Sequence, residues 1–131
     1  MSPGGLPRQK VASVGETIAA LELERRGWTV HATNYRCKQG EIDIIAEAPT
    51  KGGKTLVFVE VKTRRGISHG SPIEAVTARK QARIVAVAQV YLAERRPNET
   101  DLRCRFDIAE VLFTPDGYAK VTLHEGAFGA T

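Results

Sequence analysis

A chain of 131 residues, 42% of them apolar and 26% charged, is long enough for one domain around a single core and too apolar to be a disordered polymer. No apolar run approaches a membrane span and residues 1–10 lack the apolar stretch of a signal peptide, so a cytoplasmic protein with no membrane partner is expected. The formal charge of +4 leans toward polyanionic partners without deciding for them, and the two cysteines, Cys37 and Cys104, match no metal-ligand pattern.

Residues 1–12 carry Pro3, Gly4, Gly5 and Pro7 and read as a flexible tail ahead of one domain over 13–131. Ser13-Val14-Gly15-Glu16 has the form of a capping box and predicts a helix running to Arg26 and stopping at Gly27. Strands are predicted over 28–35, 41–48 and 55–64, the last two joined by a hairpin loop over 49–53. The basic, glycine-bearing stretch 64–70 predicts an exposed loop. Ser71 as N-cap, Pro72 at the first helical position and Glu74 two further on predict a helix start, and that helix should continue to Arg96 before Pro97. Strands over 105–113 and 118–124, separated by Pro115-Asp116-Gly117, close the chain. The order is helix, three strands, helix, two strands, an α/β pattern.

The third strand carries the most informative residues. In Leu56-Val57-Phe58-Val59-Glu60-Val61-Lys62-Thr63, Glu60 and Lys62 share a face with Phe58, opposite Val57, Val59 and Val61. Apolar residues on both faces predict a strand covered on both sides, where a charge is costly unless paired or bound to a metal. Asp43 arrives on the preceding strand in Gly40-Glu41-Ile42-Asp43-Ile44-Ile45, sharing a face with Glu41, while Ile42 and Ile44 face the other way. If the strands pair as a hairpin, Asp43 comes near Glu60. Two carboxylates with water and substrate phosphate suit magnesium or manganese, and such sites hydrolyse phosphodiesters. Lys62 could then stabilise charge on the phosphate or help position and deprotonate the attacking water. The spacing is equally met by a cross-strand ion pair, with Lys62 as counter-ion to Glu60 or Asp43.

Glu16 has two readings, as the capping-box acid or as part of an apolar stripe with Ala19, Ala20 and Leu23 facing the sheet. Lys80 falls in the middle of the stripe Ile73, Val76, Ile84, Val87 and Tyr91, from which it either snorkels to water or reaches a phosphate. Arg64 and Arg65, with His69 further along the same loop, are placed for phosphate contacts beside the Glu60 strand. Asp107, within an apolar strand, is expected to pair with an arginine.

Gly15-Glu16, Asn34-Tyr35-Arg36, Gly40-Glu41-Ile42-Asp43, Phe58-Val59-Glu60-Val61-Lys62-Thr63-Arg64 and Cys104-Arg105-Phe106-Asp107, in that order, resemble the YraN-like family of small bacterial proteins. That family is similar to the PD-(D/E)XK nucleases, so the resemblance implies a restriction-endonuclease-like core with a mixed central sheet flanked by helices. It further implies Asp43 and Glu60 as metal ligands, Lys62 as the catalytic lysine and Glu16 as an extra acid from the first helix that joins them at the metal. Ile42 stands where the superfamily's nominal motif has proline. The implied activity is magnesium-dependent cleavage of structured or damaged DNA, as in Holliday junction resolvases, whose two-fold substrate implies a homodimer. A nucleic-acid-binding module of the same fold without independent catalysis is the alternative.

Overall fold

The computed structural model describes residues 7–66 and 72–129. A five-stranded sheet has the order β1-β2-β3-β4-β5, with β1 Thr29–Cys37, β2 Gly40–Thr50, β3 Gly53–Arg65, β4 Arg103–Phe113 and β5 Ala119–Phe128. All neighbours are antiparallel except β3 and β4, which are parallel. A parallel pair cannot be joined by a tight turn, and the crossover here contains α2 Pro72–Ala75 and α3 Ala78–Arg95. The helix α1 Arg8–Arg25 covers the other face.

Each face is a separate apolar layer. Val11, Ala19 and Leu23 of α1 pack with Ile44, Ala46, Val57, Val59, Ala109 and Val111. Ile84, Val87, Ala88 and Tyr91 of α3 pack with Ile42, Ile45, Leu56, Phe58, Phe106 and Ile108. Coverage on both sides explains why β3 is apolar on both faces: all residues from Thr55 to Glu60 are buried. Asp107, fully buried on β4, pairs with Arg105 through two bonds of 2.8 and 2.9 Å and accepts a third from the Gly126 N–H at 2.9 Å. The expected arginine partner is thus two residues away.

Three helix ends differ from expectation or confirm it for physical reasons. The first helix begins at Arg8 after Pro7, so Ser13 and Glu16 lie in its interior and form no capping box, and residues 8–12 belong to the helix rather than to a tail. Its C-terminus is where Gly27 predicts. Trp28 N–H donates to the Leu23 carbonyl at 3.0 Å and Gly27 N–H to that of Glu24 at 2.9 Å, with Gly27 at φ 89°, a Schellman motif. The long second helix is broken: Thr77 caps α3, its hydroxyl accepting from the Lys80 N–H at 3.2 Å. Gln81 ties the break together by donating to the Val76 carbonyl at 2.9 Å. The expected Ser71 cap and the loop residue His69 lie outside the described residues. Arg64 and Arg65, expected on that loop, end β3 instead.

Candidate functional site

The site lies where β2 parts from β3. Their ladder runs from Thr50↔Gly53 to Ile44↔Val59 and stops there. Asp43, next in line, instead accepts the Val61 backbone N–H on its carboxylate, Oδ2 at 2.8 Å. Strand alternation also breaks at this point: Ile42 packs on the α3 side and Ile44 on the α1 side, whereas strict alternation would put both on one face. On β1, Asn34 sits between the Thr33↔Ile44 and Tyr35↔Ile42 pairs, level with Asp43, at the left-handed φ of 52°. A left-handed asparagine is tolerated more readily than most residues there.

Asp43 and Glu60 are 8% and 5% exposed. Their mutual contact, on top of burial, pushes the Asp43 carboxyl up to about 8, against a pull downward from the Val61 N–H. Glu16 joins them from the opposite layer. Burial and the neighbouring Glu41 raise its pKa, and polar contacts with Asn34 and Asp43 partly offset the rise. Its position depends on Gly15. A Cβ built on Gly15 would lie 2.0 Å from Thr63 Oγ1, so only glycine lets α1 come this close to β3 and bring the next residue to the end of the sheet.

The counter-ion of Glu60 is Lys80 rather than Lys62, with Nζ 2.9 Å from Glu60 Oε1. Burial alone would lower the Lys80 pKa, but Glu60, Asp43 and Glu41 together raise it. Lys80 is therefore held by an acid. Lys62 is half-buried and lines a groove of about 340 Å³ with Arg8, Val11, Ala12 and Glu16 of α1 and with Val61, Thr63 and Arg65 of β3. Arg64 points to β4, its Nε 3.7 Å from Glu110 Oε2. The acids Asp43, Glu60 and Glu16 are thus brought together and joined by Lys80, Arg65 and Lys62 lie along the adjoining groove, and Arg64 is turned toward Glu110. Arg8, within the stretch whose prolines and glycines predict a tail, joins the groove because the helix starts at Arg8 itself. The signal that could have found it is Pro7, a residue favoured at helix starts.

A divalent cation fits this chemistry in one respect and is limited in another. Two buried carboxylates that repel one another, one of them holding a proton to about pH 8, form an oxygen donor pair that a hard cation would relieve. Among the described residues no group of three His, Cys, Asp or Glu side chains is arranged to hold a metal ion, so water and phosphate would have to complete the shell.

The fold and site define an α/β protein with a mixed five-stranded sheet and a buried acidic pair at its open end, next to a basic groove. The chain belongs to the UPF0102 family, described as an uncharacterised protein family, whose model matches residues 15–111. A UPF0102 protein of Symbiobacterium thermophilum is 46% identical over 122 residues, covering 93% of this chain and 98% of the relative. Another, from Caldanaerobacter subterraneus, is 44% identical across 90% of this chain and 89% of its own length. One from Syntrophotalea carbinolica is 49% identical across 87% of each. None of the helices is long and apolar enough to cross a membrane, among the described residues.

Proposed function

We propose that this protein is a magnesium- or manganese-dependent endonuclease with a restriction-endonuclease-like core, acting on structured or damaged DNA. The observation that carries the reading is the buried Asp43–Glu60 pair. Two acids forced together out of water cost stability, and a fold keeps such an arrangement where it serves chemistry. Glu16 converging from the other layer supports the same reading.

In this reading Asp43 and Glu60, as carboxylates, would hold the metal, and Glu16 acts through its contact with Asp43. A divalent ion would supply Lewis acidity toward the scissile phosphate and lower the pKa of a bound water. Lys80 fixes the Glu60 carboxylate in direction through their 2.9 Å contact. Lys62, next on the same strand and turned to the groove, stabilises charge building on the phosphate oxygens. Thr63 and the apolar Val61 wall keep the approach narrow.

A binding module without catalysis draws on one specific observation: Lys80 already neutralises Glu60, as it would in a site with no metal. A cleavage screen over duplex, flap, single-stranded and four-way DNA, with magnesium or manganese, decides between the two. Cutting by the wild type that Asp43→Ala abolishes supports the enzyme. DNA binding without cutting under any of these conditions gives the binding module, and equal cutting by both proteins removes Asp43 from the reaction.

A further inference from the structure

The groove beside the acids has a built polarity. Val11 floors it, and the close Gly15–Thr63 contact closes its inner end, where Glu16 lies. Arg8 is seven residues before Gly15, about two helical turns, and so stands on the same β3-facing side of α1. Arg65 is two residues after Thr63 and alternates onto the same face of β3. Arg8 and Arg65 thus stand at the outer end and the Glu16 carboxylate at the inner one, Arg8 and Glu16 about 12 Å apart along α1 at 1.5 Å per residue. A strand rising 3.4 Å per nucleotide spans that distance in a few steps.

We propose that this groove is a phosphate seat for one nucleic-acid strand, with Arg8 and Arg65 as positioning residues a few nucleotides from the bond at Asp43 and Glu60. The proposal rests on the nuclease reading and adds to it the path of the substrate. Among the described residues of the lining, three cations, Arg8, Lys62 and Arg65, outnumber the single carboxylate of Glu16, and the Thr63 hydroxyl adds a donor. That set suits phosphate oxygens. Among the same described residues no aromatic side chain offers bases a platform to stack on, so the seat recognises the backbone rather than the sequence. Lys80 and Arg64 are not among the residues that line the groove.

The test separates this seat from the chemistry. Binding of fluorescently labelled single strands of several sequences is measured on Asp43→Asn protein with EDTA, from about 50 to about 200 mM salt. Arg8→Ala should weaken every sequence alike and reduce the log–log salt slope by about 1, with Arg8→Lys restoring part of it. Lys10→Ala, exposed on the same helix but outside the groove, should leave the slope unchanged. In cleavage-competent protein Arg8→Ala should raise KM more than it lowers kcat. Equal effects of Arg8→Ala and Lys10→Ala, or no effect of Arg8→Ala, overturn the seat. Cleavage with an Arg8-independent slope removes the seat and leaves the nuclease reading. An Arg8-dependent slope without cleavage keeps the seat and removes the hydrolysis.

Discussion

Replacing Asp43 by asparagine removes a buried charge while leaving an oxygen for the Val61 N–H, so it tests the electrostatics of the site in isolation. The folded protein holds the Asp43 proton to about pH 8, against an ordinary value of 3.8. Because the folded pKa is the higher one, the associated stability is fully present below pH 3.8 and is lost as pH rises through about 8. Each pH unit in that window costs the wild type about 1.4 kcal/mol, on the order of 6 kcal/mol across it, and asparagine incurs none of that loss. Asp43→Asn should therefore match the wild type near pH 4 and exceed it at pH 8–9. With a urea dependence of about 2 kcal/mol per molar, the unfolding midpoint at high pH should rise by about 3 M. Urea titrations followed by circular dichroism in EDTA, at pH 4, 6 and 8.5, measure this directly. Magnesium should raise the wild type alone, by about 2.7 kcal/mol at a hundred times its dissociation constant. A variant whose advantage is the same at every pH, or that is less stable at pH 8.5, refutes the account of the buried pair.

Gly15→Ala should cost about 2 kcal/mol despite alanine's better helix propensity, because its Cβ would meet Thr63 Oγ1 at 2.0 Å. Thr63→Ala in the same chain should recover most of that loss in a double-mutant cycle of unfolding free energies. Lys80→Met should destabilise the metal-free protein by about 1 kcal/mol, and magnesium should reverse the loss by supplying the missing positive charge, as read by thermal melts with and without the metal. Asp107→Asn should cost about 3–5 kcal/mol, since it leaves Arg105 without its bidentate partner, yet leave metal affinity unchanged by calorimetry.

The sequence carried the order of elements, the two-sided burial of β3 and the approach of Asp43 to Glu60, because alternation and apolar pattern are local properties, whereas for Glu16 local pattern left a capping role open and only the family resemblance pointed it toward the acids. It did not carry the break at Asp43. Alternation puts Ile42 and Ile44 on one face, and in the fold they part where Asn34 on the neighbouring strand turns left-handed and the β2–β3 ladder ends. The capping-box spacing at Ser13 is a coincidence inside a helix that begins at Arg8, where Thr17 Oγ1 donates to the Ser13 carbonyl instead. The interruption at Thr77 was hidden by the continuous apolar stripe, although a threonine before a helical run is itself a start signal. The counter-ion of Glu60 was out of reach of local reasoning. Lys80 lies twenty residues on, within the crossover, and the packing of α3 on the sheet brings the two together.

Both outer strands of the sheet are irregular. On β1 the register shifts between Val30 and Ala32 and Asn34 turns left-handed. On β5 the pairing jumps between Phe106↔Phe128 and Ile108↔His124, and Gly126 turns its N–H to the Asp107 side chain. An edge with such interruptions is a poor template for another strand, which is how open sheets avoid joining edge to edge into larger aggregates. The residues at these irregular edge positions, Asn34 near the half-buried Glu16 and Gly126 on the buried Asp107, are tied to acids of the interior and the site, so the defence against aggregation and the placement of charge draw on the same few positions.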